Sequence, residues 1–180
     1  YGYGAPLLSY YAPLTYYLTT VIGILGFGLS HAYQITLAIS VLAGALGASA
    51  WAGALFGDRA RFAAAVLWAA APYTLFNVYS RGAGPEVLGL AWLPWLGWAM
   101  TESLQHGTLR SRFLFGIAAA GLMLTHNLTA LIGFGLLTFV GLAEILATLR
   151  CGHRSGLVRR VAWLIASGAP AEVLARPAVR

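Results

Sequence analysis

Apolar residues run through this chain in long stretches, and the polar positions that interrupt them are few and clustered. Gln34–Phe56 is apolar and long enough to cross a hydrocarbon core of roughly 30 Å. Gly57-Asp58-Arg59-Ala60-Arg61 follows, and then a second apolar span, Phe62–Tyr79. Ser80–Pro85 is a short Gly/Pro loop. Glu86–Glu102 returns as a third span, with Trp92, Trp95 and Trp98 close together and a kink expected at Pro94.

Ser103–Arg112 is polar, and a run from Phe113 to Leu149 follows, broken only by Thr125-His126-Asn127. That run is too long for one crossing, since ~36 residues at ~1.5 Å each reach roughly 54 Å. Read as two arms, 113–126 and 128–148, its first arm is short, and the His126 turn is expected to dip into the membrane. Two arms also place the clusters Arg59/Arg61, Arg110/Arg112 and Arg150/Arg154/Arg159/Arg160 on one side, as the positive-inside rule requires. Those loops are then cytoplasmic, and Ser30–Tyr33, Ser80–Pro85 and Thr125–Asn127 face the extracytoplasmic side.

The N-terminal segment, about 10–29, differs in texture. Tyr10, Tyr11, Tyr16 and Tyr17 form an aromatic cluster suited to the headgroup level, and Pro6 and Pro13 discourage a helix before about Leu14. It reads as a short span or as a helix lying in the interface, and the tyrosines and prolines favour the interface. From Gly168 the apolar texture is lost, so 168–180 is an atypical or truncated tail beyond a partial multispan domain, 1–167. Tyr1 is not an initiator Met and no signal peptide opens the chain, which reads as a fragment of a longer protein.

Composition sharpens the class. The chain is 59% hydrophobic and only 9% charged, with a mean hydropathy of +0.76, whereas soluble domains carry about 25% charged residues. The pattern therefore predicts an all-α, polytopic transmembrane helical bundle in the cell membrane, with the lipid bilayer as partner. The formal charge of +6 sits in short clusters between apolar runs and forms no face for nucleic acid. Cys151 stands alone, so neither a disulfide nor a Cys/His metal pattern arises.

Charges at the membrane edge are the first candidates for chemistry. Arg81, a planar fork of five donors, suits a phosphate or pyrophosphate, and Glu86 suits its orientation or a sugar hydroxyl. The structural alternative is that Pro85 opens a helix, Glu86 complements its positive end and Arg81 marks the interface. His126 and Asn127 are candidates for proton transfer, phosphate donation or ligation, or simply satisfy a tight turn. Tyr10 and Tyr11 line a sugar or isoprenoid groove, or anchor the interface. The sequon Asn127-Leu128-Thr129 is read as chance. A Ser/His/Asp set, a phosphate-binding glycine motif and an intramembrane carboxylate chain are absent from the sequence, and no cofactor is evident.

GYGAPLLSYYAPLTYYL at Gly2–Leu18, the Gly-Asp-Arg-Ala turn, APYTLFNVYSRGAGPEVLGLAWLPW at Ala71–Trp95 and LMLTHNLTAL at Leu122–Leu131 resemble the bacterial membrane proteins labelled 6-pyruvoyl-tetrahydropterin synthase-related. The soluble synthase of that label uses a zinc site of histidines, and none is visible here. The resemblance implies a bundle similar to the GT-C glycosyltransferases, which take a sugar from a polyprenyl phosphate or pyrophosphate on the outer face. It also implies a catalytic acid in an external loop upstream of Tyr1. A divalent metal would enter only if that loop supplied acidic ligands. By the same resemblance Gly2–Leu29 corresponds to a juxtamembrane helix, interfacial or re-entrant. Arg81 and Glu86 fall in the family's Arg-Gly-Ala…Glu loop, and His126 in its Thr-His turn.

Transfer of a sugar from a polyprenyl-phosphate donor is thus the leading expectation. The alternatives are a non-catalytic membrane subunit and a transporter or flippase of lipid-linked sugars. Coupled transporters show internal repeats and midplane charges, and this sequence offers kinks without a buried charge.

Overall fold

The computed structural model describes residues 12–150 and, within them, all side chains except those at 105, 140, 143–145 and 147–150. Tyr10, Tyr11, the arginines at 154, 159 and 160 and the tail from Gly168 lie outside the described residues. The chain divides into two compact units, Tyr1–Leu137 and Thr138–Arg180. Of the second, the described part is the C-terminal portion of one helix; the helix packing belongs to the first.

Every regular element among the described residues is helical. α1 (Leu14–Ile24) is followed by α2 (Leu29–Phe56), α3 (Arg59–Ala69), α4 (Pro72–Phe76), a π-helical turn (Asn77–Arg81), α5 (Gly84–Gln105), α6 (Leu109–Thr125) and α7 (Asn127–Arg150). Two stretches are long and apolar enough to cross a membrane, Leu29–Phe56 and Arg59–Arg81. α2 alone, at 28 residues, is ~42 Å long at ~1.5 Å per residue.

The element boundaries differ from the sequence reading in physically simple ways. Gly28 precedes α2 with extended backbone, so helix begins at Leu29, ahead of the purely aliphatic run. The second apolar stretch is broken where Ala71 is extended before Pro72, because proline disfavours helical backbone in the residue before it. Ser80 and Arg81 belong to the π-turn, which leaves only Gly82 and Ala83 as loop. α5 runs through Pro94, whose ring faces Gly47.

α2 and α5 lie side by side and parallel. The Gly84 amide meets Tyr33, the Trp95 indole donates to the Ala43 carbonyl at 2.8 Å, and the Trp51 indole donates to Thr101 Oγ1 at 3.1 Å, at near-constant separations of 51, 52 and 50 residues. The stretch Arg59–Arg81 carries the chain back between them. α6 then returns against α5, with Trp92 over Gly121 and Gly89 against His126.

Glycine makes this packing close. A Cβ added at Gly97 would lie 2.6 Å from the Trp51 ring, and one at Gly121 2.6 Å from Trp92. Small residues that admit a bulky neighbour are how helices pack when lipid offers no hydrophobic contrast. The interior mixes polar with apolar side chains, Thr36, Ser40, Asn77 and Thr125 being fully buried beside Leu96 and Leu122, while Phe56, Phe62, Leu67, Leu131 and Phe139 are exposed. Water would penalise such an exterior, and an acyl environment does not.

Candidate functional site

The parallel arrangement of α2 and α5 brings the start of α2, the Gly82-Ala83 loop and the α6–α7 turn to one end of the unit. There they enclose a cleft of about 850 Å³ walled on a further side by α1. Arg81, Glu86 and His126 all line it, as does Tyr16. Asn127 is exposed beside the turn and is not part of the lining. Tyr10 and Tyr11 lie outside the described residues.

Local sequence dictates how Arg81 is presented. Pro72 opens α4 in the first turn, where a missing N–H costs nothing. The helix then widens, so that the Gly82 and Ala83 amides both reach the Asn77 carbonyl, Ala83 at 3.0 Å. π-turns of this kind recur at functional sites. Gly82, at φ 59°, ends the turn in the left-handed region that glycine enters without a Cβ penalty.

Asn77 is buried, bonds the Tyr73 carbonyl through Nδ2 at 3.0 Å, and accepts from Arg81 Nη1 through Oδ1 at 2.9 Å. The same Nη1 lies 2.9 Å from Glu86 Oε2. Glu86, in the first turn of α5, is well placed by the helix dipole. The Tyr73 hydroxyl donates to its other oxygen, Oε1. Both Glu86 oxygens are thus engaged. Arg81 faces its partners through one nitrogen, and its Nε/Nη2 edge has no partner among the described residues.

Tyr33 ties α2 to this loop by donating to the Gly82 carbonyl and accepting the Gly84 N–H at 2.8 Å. A Cβ at Gly84 would sit 2.7 Å from its hydroxyl, so the loop closes only over glycine. On the facing wall His126 caps α7: the Thr129 amide donates to Nδ1 at 3.3 Å, and Thr129 Oγ1 is 2.7 Å from the same nitrogen. Because Nδ1 accepts a backbone N–H, the ring proton belongs on Nε2.

The sequence reading missed Tyr33, Tyr73 and Asn77. Asn77 carried a signal: it is an amide in an apolar stretch, one helical turn before Arg81. The tyrosines act across separations of 49 and 13 residues and carried none. Among the described residues no group of His, Cys, Asp and Glu suits a metal ion.

An all-helical unit with large apolar side chains on its exterior, polar groups buried within a mixed core and a charged cleft at its helix ends belongs to the class of membrane proteins. Residues 8–167 match the family model described as 6-pyruvoyl-tetrahydropterin synthase related domain, membrane protein. The chain belongs to that family. No curated protein and no solved structure matches it.

Proposed function

We propose that this chain forms part of a polytopic, GT-C-like membrane glycosyltransferase and that the cleft receives the phosphate of a polyprenyl-phosphate-linked sugar. The observation that carries the reading is Arg81 at the cleft, braced by Asn77 and Glu86 through one nitrogen. Its remaining edge has the fork geometry that suits a phosphate bidentately.

Two further features support it. An apolar groove of about 700 Å³, lined by Leu37, Val41, Leu75, Val78 and Tyr79 among others, begins two residues from Arg81 and offers hydrocarbon surface for a prenyl chain. The cleft lies at the opposite helix ends from Arg59/Arg61 and Arg110/Arg112, so positive-inside orientation puts it on the extracytoplasmic face. On this reading Glu86 and Tyr73 orient Arg81 and do not touch the reacting sugar carbon. The general base comes from an external loop.

The test uses membranes from cells producing the whole protein, incubated with radiolabelled polyprenyl-phosphate mannose or glucose. Label leaving the lipid fraction should fall at least about 100-fold in Arg81→Ala, the loss typical of a removed charge-stabilising donor, with the variant still expressed and folded at the assay temperature. Equal transfer by the variant overturns the assignment. Donor crossing the bilayer without sugar release would favour the flippase alternative.

A further inference from the structure

The wall of the cleft opposite the arginine loop is α1, and three threonines on it line the cavity. A helical threonine ordinarily disposes of its hydroxyl on a backbone carbonyl one turn earlier. Thr20 does so, donating to the Tyr16 carbonyl at 2.8 Å, and Thr19 is satisfied across the helix pair by Thr36 at 3.0 Å. Thr15 is different. It stands in the first turn of α1, ahead of any full helical turn among the described residues, and its Oγ1 has no hydrogen-bond partner among the described residues although the residue is only 1% exposed. A buried hydroxyl without a partner is costly and uncommon.

α1 has 11 residues, and its N-cap is Pro13, which supplies no side-chain cap. The first-turn amides of a helix point outward along its axis and, with the positive end of the dipole, favour an anion. Thr15 and Tyr16, both of that turn, border the cleft that Arg81 borders from the other side.

We infer that the first turn of α1, through Thr15 Oγ1 and its first-turn amides, is a second phosphoryl-binding element of the cleft, acting with Arg81 on the same anionic group or on the two groups of a pyrophosphate. The inference rests on the proposed phosphate site and adds a ligand contact to it. The orphan hydroxyl is the trace of a ligand it donates to when the cleft is filled, and its cost in the empty protein is the counterpart of that contact. Two sources share this chemistry, a lipid headgroup and free pyrophosphate.

The whole protein, with Thr15→Val, Thr15→Ser and Arg81→Ala, is titrated with inorganic pyrophosphate in detergent. It is also reconstituted in phosphatidylcholine vesicles with and without a long-chain polyprenyl monophosphate, binding being read as the rise in unfolding temperature. Thr15→Val removes the hydroxyl while keeping the shape. It should weaken binding about tenfold, as the loss of one hydrogen bond to a charged group does, while unfolding without ligand at the wild-type temperature or above it. Thr15→Ser should bind as wild type. An effect confined to the polyprenyl-phosphate vesicles assigns the site to a lipid headgroup, and one seen with pyrophosphate in detergent assigns it to the free anion. Unchanged binding by Thr15→Val, or a clear fall in its ligand-free unfolding temperature, overturns the inference, the latter by exposing a structural partner for Oγ1. If Arg81→Ala alone loses binding, the α1 element fails and the phosphate site stands. If wild type binds neither probe, or both variants bind as wild type, both readings fail.

Discussion

Arg81 and Glu86 meet across the Gly82-Ala83 loop, Nη1 to Oε2 at 2.9 Å, with the Arg81 side chain about half exposed and that of Glu86 largely buried. The pair is asymmetric. Glu86 is engaged on both oxygens, by Arg81 and by Tyr73, and the Nε/Nη2 edge of Arg81 has no partner among the described residues. Glu86 therefore acts as a positioning residue. Glu86→Gln keeps one acceptor oxygen, which can stay with Arg81 while its NH2 donates to the Tyr73 oxygen, and should lower phosphate binding only several-fold, whereas Arg81→Ala removes the contact itself. A double-mutant cycle of Arg81→Ala and Glu86→Ala, read as binding in polyprenyl-phosphate vesicles, should be strongly non-additive. Additive losses would show that Glu86 meets the ligand independently.

Asn77 is the hinge of this arrangement, since its side chain joins the Tyr73 carbonyl to Arg81 and its carbonyl closes the π-turn. It is fully buried, so Asn77→Ala leaves polar groups without partners and should cost about 1–3 kcal/mol. Thermal unfolding in detergent should show the loss. Phosphate affinity should fall as well, because Arg81 loses one of its two braces.

The Tyr33–Gly84 contact tests how tightly the loop is specified. A methyl at Gly84 would collide with the Tyr33 ring and hydroxyl, at 2.7 Å from Oη. Gly84→Ala should therefore destabilise the unit, and so should Tyr33→Phe, which leaves the Gly84 N–H and the Gly82 carbonyl only their 3.0 Å bond to each other. Combined, the two should cost less than the sum of their separate effects, since removing the hydroxyl also opens space for the methyl. Unfolding temperatures of the four proteins decide the matter.

The apolar runs made the helices legible. Long stretches such as Gln34–Phe56 have no other low-energy state in lipid, because every backbone group must be satisfied within the segment. The candidate charges were legible for the same reason: Arg81 and Glu86 stand out where little else is charged. What binds them was not. Tyr33 and Tyr73 look like ordinary interface aromatics until α2 is set parallel to α5, and Thr15 looks like its neighbours until its hydroxyl is found buried without a partner among the described residues. The π-turn was hidden too, since it is a register shift of one residue in an otherwise helical pattern.

His126 separates capping from chemistry. Its Nδ1 takes the Thr129 amide at the start of α7, a service that asparagine performs equally well. His126→Asn should leave the unfolding temperature close to wild type, and His126→Ala should lose about 0.5–2 kcal/mol. If His126→Asn also retains sugar transfer, the residue serves the fold. Loss of transfer with unchanged stability would assign the Nε2 proton a role in the cleft.

Orientation is the last consequence of the parallel pair. Because α2 and α5 run the same way, Ala83 lies at one end of the unit and Thr108, just before Arg110 and Arg112, at the other. On the proposed reading the positive-inside rule assigns the arginine end to the cytoplasm. Single cysteines at Ala83 and Thr108, introduced with Cys151→Ser, should therefore respond oppositely to a membrane-impermeant thiol reagent added to intact cells. Ala83→Cys should label and Thr108→Cys should label only after the membrane is opened. The reverse pattern would place the cleft in the cytoplasm, where a donor on the outer leaflet could not reach Arg81, and labelling of both from one side would show that α5, Gly84–Gln105, does not cross the membrane.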